Sequence, residues 1–418
     1  MKSLTELFRI GAGPSSSHTM GPHRAAIQFS QRCHEVDAYR VTLYGSLAAT
    51  GRGHMTDKAI CSILEPIAPT EIRWEPRIVL PYHPNGMKFE GIKGGKTVDE
   101  WTIFSIGGGA LANEETTKDA SDIYPLTKMD DIIGWCNTTG CSFWEYVERC
   151  EGQEVWDYLS KIWKSMKDTI ERGLNREGVL PGGLGVQRKA ANYMVKAMGH
   201  LPSVQSKGKV YSYALATAEE NAAGGIVVSA PTCGSSGVLP AVLYHLANDH
   251  HFSEERIIRA LGTAGLFGNV VKENGSISGA EVGCQGEVGV ACAMAAAAAC
   301  QLFGGMISQI EYAAEMALEH HLGLTCDPMC GLVQIPCIER NAIAAARALD
   351  ACTYATFSDG RHKIGFDRVV SVMKETGHDI PSLYKETAEG GLAKLITPEQ
   401  SRHEEAVDKM VPHKRRNS

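Results

Sequence analysis

Residues 286–303 read GEVGVACAMAAAAACQLF, and a run so rich in alanine, without proline, has to be a helix. Three cysteines stand at special points around it. Cys284 lies in a Gly-rich loop directly before the run, and Cys326 sits in the turn Thr325-Cys326-Asp327-Pro328 after the helical EYAAEMALEHHL. Cys337 follows Pro336 and opens a second helical run, IERNAIAAARAL. Cys284 and Cys337 therefore stand at helix N-termini, where unpaired N–H groups and the macrodipole favour thiolate over thiol. Thiolates are the ligands of metals and iron–sulfur clusters, and three of them, rather than four, would leave one iron without a protein ligand. Free cysteine is also a common small core residue, which is the reading that fits Cys292 and Cys300 inside the helix. Cys326 and Cys330 imitate a zinc half-site, but no second short-spaced pair completes one. Spacing leaves a cluster and an ordinary core both open, and it does not choose between Cys326 and Cys330.

The chain ahead of this stretch alternates strand and loop. Pro14 with Ser15-Ser16-Ser17 predicts a turn, and a helix follows over 22–33; such a Ser/Thr-rich start offers hydroxyls and free N–H groups to a carboxylate, or is plain N-capping. The glycines at 11, 13 and 21 do not make a dinucleotide fingerprint. A strand is expected over 38–43, then a loop holding Gly51, Gly53 and His54, then a helix capped by Thr56 or Asp57 and reaching Leu64. The glycines beside His54 would allow close approach to a ligand. Stretches 87–93 and 97–106 flank Gly94-Gly95, a hairpin signal, and Gly107-Gly108-Gly109 ends the sheet. Residues 113–130 read as a polar connection.

Beyond it the chain turns helical, with helices expected over 142–173, 187–198, 211–224, 238–250, 254–272, 286–303, 308–321 and 338–350. The pattern predicts an α+β chain: a small N-terminal α/β domain with a mixed or antiparallel sheet over 1–140, a mostly α-helical domain over 141–396, and a charged tail over 397–418. The loop Gly234–Gly237 before Pro240 resembles the phosphate cradle of a pyridoxal phosphate enzyme. No lysine can be singled out as its Schiff-base partner, so that reading ranks below the cluster.

A formal net charge of −7 argues against nucleic acid or an anionic membrane as the main partner. The opening MKSLTELFRIG lacks the parts of a signal peptide, and the longest apolar run falls short of the ~20 residues of a membrane span. With 13 cysteines, an odd number, the expectation is a cytoplasmic protein with reduced thiols. A homodimer is expected on base rate.

The strings SISGAEVGCQGEVGVACAMAAAA, GLTCDP and GLVQIPCIERNA resemble the catalytic domain of the iron–sulfur L-serine dehydratases (L-serine ammonia-lyases). GPSSSHTMGPHRAA and YGSLAATGRGHMTDKA resemble that family's other domain, and the likeness runs from about Leu4 to about Leu395. The resemblance implies a [4Fe–4S] cluster held by Cys284, Cys326 and Cys337, with the open iron as Lewis acid. It implies a substrate site lined by the seryl stretch, Ser15, Ser16, Ser17, His18 and Thr19, with His54 as general base; an ordinary histidine pKa near ~6.5 suits that task. Asn274, Ser276 and Ser278 join the substrate site on their nearness in sequence to Cys284. The reaction implied is dehydration and deamination of L-serine to pyruvate and ammonia. A cysteine desulfidase on the same scaffold and a non-catalytic iron–sulfur sensor are the competing readings, the latter opposed by the absence of a basic stripe. In some longer members the chain ends in a cysteine that folds back toward the cluster; here no cysteine follows Cys352.

Overall fold

A computed structural model describes residues 1–113 and 122–395. The connection expected over 113–130 lies partly, and the tail expected over 397–418 wholly, outside the described residues. The first part runs β1 (Ile10–Ala12), a π-helical turn (Ser16–Met20), α1 (Gly21–Arg32), β2 (Ala38–Tyr44), α2 (Gly45–Thr50), α3 (Thr56–Leu64), β3 (Thr70–Glu75), β4 (Gly86–Lys93), β5 (Lys96–Ser105) and β6 (Leu111–Ala112). The second runs α4 (Met129–Thr139), α5 (Phe143–Glu151), α6 (Glu154–Leu174), α7 (Ala190–Met198), α8 (Pro202–Ala222), β7 (Ile226–Val228), α9 (Val238–Asp249), α10 (Glu254–Asn274), α11 (Gly279–Val282), α12 (Val288–Leu302), α13 (Ile307–Glu319), α14 (Cys337–Phe357) and α15 (Phe366–Asp379). This is the expected α+β chain, a small mixed-sheet part followed by a helical one.

The five-stranded sheet has the order β3-β2-β4-β5-β6, with β2 and β3 parallel and the other pairs antiparallel. Alternation along β2 sends Tyr39, Val41 and Leu43 to one face, where they pack with Phe29 of α1, Leu47 of α2 and Ile60 of α3. The hairpin turns on Gly94 and Gly95, both with positive φ (58° and 74°), as a two-residue turn matched to strand twist demands.

In the helical part α12 is the axis, every residue from Val288 to Cys300 being buried. Its faces are covered by α9, α10, α13 and α14, and alanine leaves nothing beyond Cβ to hold those neighbours off. Among the described residues no single helix is long and apolar enough to cross a membrane.

The helix expected over 142–173 is two helices, broken at Gly152 with φ 76°. The helix expected from 211 begins at Pro202, a proline at N1 that starts a helix rather than ending one. α4 and α15 were not anticipated; each buries a single narrow apolar face (Met129, Ile132 and Cys136; Phe366, Val369, Val370 and Met373).

Three features among the described residues join the parts. Leu4, Leu7 and Phe8 enter the helical core against α10, where a side chain at Gly265 or Gly268 would collide with them. β1 then pairs antiparallel with β7 before the chain crosses to the sheet. The Gly107–Gly109 loop packs on Ile277 and Ser278, and its carbonyls accept from Arg9 Nη1 (to Gly108, 2.5 Å) and Arg24 Nη1 (to Gly109, 2.7 Å).

Helix packing supplies a test of the fold. A β-carbon on Gly173 of α6 would stand 2.2 Å from the Ala216 carbonyl oxygen of α8, so the two backbones touch there. Gly173→Ala should destabilise the protein by roughly 1–3 kcal/mol. The measurement is a lower urea midpoint with an unchanged slope.

Candidate active site

The two parts meet at a small pocket lined by Ser15 and His54 from the sheet side and Cys284, Cys326, Cys337 and Glu386 from the helical side. Each thiol is delivered by a local device. Cys284 sits in the short turn Gly283–Gln285, where Gly283 has φ 74° and a side chain would stand 2.6 Å from the Leu324 carbonyl. That contact sets the Cys284 turn directly on the Cys326 turn. Cys326 is fixed by the segment after α15: its N–H donates to Tyr384 O and its carbonyl accepts from Glu386 N, both at 2.8 Å. Cys337 is the first residue of α14. Asn341, one turn on, donates to the carbonyls of Cys337 (2.8 Å) and Gly234 (2.7 Å) and accepts from Gly237 N (2.9 Å). The Gly237 N–H of the glycine loop is thereby taken by a side chain of this protein, while Gly234 of the same loop lines the pocket.

Two carboxylates share the pocket. Glu287 Oε1 accepts from Thr232 Oγ1 at 2.8 Å, while Oε2 lies 3.7 Å from Cys284 Sγ and 3.9 Å from Cys326 Sγ. Glu386, held at φ 59°, is buried and its Oε2 has no partner among the described residues. Arg340 stands nearby, donating to Thr325 O at 2.7 Å and pairing with Asp327 at 3.3 Å.

At Cys337 the electrostatics run against the expectation drawn from helix N-termini. A hydrogen bond with the Cys284 thiol and then burial push Cys326 well above the ordinary thiol range, and burial does the same to Cys337. Burial also holds Glu386 well above the carboxylate range. Three thiols and two carboxylates converging in one pocket are a set of soft and acidic donors that a cation would stabilise in their charged forms. On that donor chemistry the residues fit an iron–sulfur cluster with three protein thiolates. Cys330 does not line the pocket. Cys292 gives its thiol to Ala344 O inside the core, and Cys300 is buried in the same helix.

The histidines can be assigned by following protons. Thr50 Oγ1 gives its one proton to Ser46 O (3.0 Å), so it can only accept from His54 Nδ1 (3.3 Å). His54 Nε2 is then a bare lone pair, buried and without a partner among the described residues. Burial lowers its pKa to about 3, rather than leaving it at the ordinary value that was expected, which keeps the ring neutral but makes Nε2 a weaker base than an exposed imidazole. Ser46 Oγ likewise donates to Glu386 O (3.0 Å) and must accept from His18 Nε2 (3.0 Å). His18 Nδ1 in turn accepts from Ser17 Oγ at 2.9 Å. Both nitrogens of His18 are engaged, and its ring meets His54 edge-on with centroids 4.5 Å apart.

The seryl stretch is a brace as well as a wall. Ser15 Oγ accepts from His18 N (3.0 Å), and Thr19 Oγ1 accepts from Ser15 N (3.1 Å) and donates to His54 O (2.7 Å). Ser16 and Ser17 are buried beside them. Gly53 approaches protein rather than ligand: a side chain there would stand 2.4 Å from Gly331 O. Asn274 and Ser276 are not brought to this group. Asn274 donates to Thr127 O (2.7 Å) and Val270 O (2.8 Å), and Ser276 donates to Glu281. Ser278 packs against Gly107 in the joint between the parts and does not line the pocket. Glu287 and Glu386 were not read from the sequence; the one local signal for Glu386 is the Gly390-Gly391 pair that follows it.

The chain is similar to known proteins along most of its length. A family described as serine dehydratase beta chain matches residues 3–75, and one described as serine dehydratase alpha chain matches residues 77–393. The L-serine dehydratase of Streptomyces coelicolor is 43% identical over 94% of this chain and 98% of its own. That of Mycobacterium bovis is 42% identical over 94% and 97%, and L-serine dehydratase 1 of Escherichia coli 39% over 94% and 99%. The first of these alignments spans 446 positions, more than the 418 residues here, so that relative carries segments this chain lacks.

Proposed function

Because this chain belongs to the serine dehydratase family, with the beta-type and alpha-type parts on one polypeptide, we propose that it is an L-serine ammonia-lyase that converts L-serine to pyruvate and ammonia. The observation that carries the proposal is the meeting, in one pocket, of the bare His54 Nε2 with Cys284, Cys326 and Cys337. Cys284, Cys326 and Cys337 would hold a [4Fe–4S] cluster. When bound, such a cluster supplies a Lewis acid for the carboxylate and β-hydroxyl oxygens of the substrate at the iron that lacks a cysteine.

The chain's own residues do the rest. His54 Nε2 takes the Cα proton, its ring held at the correct angle by Thr50 and by the Thr19 hydroxyl on its carbonyl. His18 stays neutral and keeps the seryl turn against Ser46. Pro14, Val288, Pro328 and Val333 wall the pocket with apolar surface and limit access of water. The departing hydroxide leaves with the abstracted proton as water. The aminoacrylate that remains tautomerises and is hydrolysed to pyruvate and ammonia.

The test is an assay without oxygen, on protein of measured iron content, offering L-serine, L-cysteine and L-threonine. Pyruvate release from serine, in proportion to bound iron, is expected. Turnover of cysteine alone would reassign the substrate, and iron binding without turnover of any of the three would remove the enzyme reading.

A further inference from the structure

A pocket for a zwitterionic amino acid needs a partner for each end of the molecule. In the proposed serine lyase, a reading on which this inference rests, the carboxylate and hydroxyl have theirs. The α-ammonium does not. A buried cation with three donors requires an acceptor of opposite charge.

Two carboxylates reach the pocket, and one is already committed. Glu287 accepts from Thr232 on one oxygen and is flanked on the other by the thiols of Cys284 and Cys326. Glu386 differs. Its Oε2 is buried with no partner among the described residues. Its Oε1 lies 3.6 Å from His18 Nδ1, a nitrogen that Ser17 already serves at 2.9 Å. One oxygen of Glu386 and one ring nitrogen of His54 lie within 4.8 Å of each other, so the carboxylate stands beside the base.

The backbone shows that this placement is held rather than incidental. Glu386 has φ 59°, a left-handed conformation that a residue with a side chain keeps only where its surroundings impose it. Its N–H is fixed to Cys326 O at 2.8 Å, and its carbonyl accepts from Ser46 Oγ at 3.0 Å. Leu392 N, six residues on, donates to Asp327 Oδ2 at 2.8 Å. Both parts of the protein thus aim one carboxylate into the pocket.

We propose that Glu386 receives the α-ammonium group of the substrate and so sets the preference of the pocket for amino acids over the matching hydroxy acids. With the ammonium on Glu386, the Cα–H bond is turned toward His54 Nε2.

The experiment pairs L-serine with 3-hydroxypropionate, which keeps the carboxylate and the hydroxyl but lacks the amine. Iron-loaded wild type, Glu386→Gln and Glu386→Asp are prepared without oxygen. The KM for serine is measured, with calorimetric binding of 3-hydroxypropionate and iron content beside it. In Glu386→Gln the serine KM should rise roughly 10- to 100-fold, the worth of a hydrogen bond to a charged group, while 3-hydroxypropionate binds as it does to wild type. Glu386→Asp, which keeps the charge on a shorter arm, should fall between. Equal weakening of both ligands, an unmoved serine KM, or loss of iron in both variants would overturn the assignment. Wild-type protein that carries iron but does not turn over serine would overturn the proposed function and this inference with it. An active wild type with an unchanged KM in the Gln variant overturns this inference alone.

Discussion

The Cys326→Ser protein, purified without oxygen, should lose bound iron and serine turnover together, whereas Cys330→Ser should keep both. Cys326 lines the pocket with its thiol beside Cys284 and Glu287; Cys330, four residues on, lies outside it. Groups that merely brace a metal ligand cost roughly 10- to 100-fold in affinity when removed, and loss of the ligand itself should cost more. Cys284→Ser and Cys337→Ser should behave as Cys326→Ser does. Cys292→Ser and Cys300→Ser should retain iron, since these side chains face the core of the helical part. Iron and visible absorbance are measured on each variant, with circular dichroism to verify folding. Full iron retention by Cys326→Ser, or its loss from Cys330→Ser, would move the site.

His54→Ala should lose turnover by roughly 10²–10⁴-fold, the range for removal of a general base. Iron content and the serine KM should change little, because Nε2 acts on the proton in the transition state and not on the bound ground state. His18→Ala supplies the contrast. Its two nitrogens are taken by Ser17 and Ser46, so its loss should loosen the seryl turn and lower stability while leaving the base in place. Exchange of the serine α-hydrogen with solvent separates the two: a variant that exchanges but cannot eliminate has kept its base. If His54→Ala retains both exchange and turnover, the proton goes elsewhere.

The parts of the fold that could be read in advance are those whose causes are local. The α12 helix follows from its alanines, the β4–β5 hairpin from Gly94-Gly95, and α9 and α10 from the residues that start and stop them. α15 and the early start of α8 escaped because their apolar faces are narrow, and packing against neighbours decides such segments. The site divides in the same way. Cysteines and a glycine-flanked histidine attract notice in a sequence, whereas Glu386 lies in KETAEGG, which reads as a solvated loop. Its backbone is held by Cys326 and Ser46, residues 60 and 340 positions away in the chain, and nothing in its neighbourhood announces them. The pKa of His54 is equally non-local, since burial by both parts sets it.

The joining of β1 to β7 also dictates an order of assembly. Arg9 bonds to Ser229, 220 residues away in sequence, so at ordinary rates of synthesis the first strand waits on the order of ten seconds or more for its partner. In that interval the strands β2 to β6, which pair within a short span, can close on α1 and α3, while Leu4, Leu7 and Phe8 remain without a core to enter. The pocket comes later still, because Tyr384, Glu386 and Leu392 seal the Cys326 turn only after nearly all of the helical part has been made. The three thiols therefore stay open to the surrounding solution until that segment folds over them, so any group they are to hold has to enter before it closes.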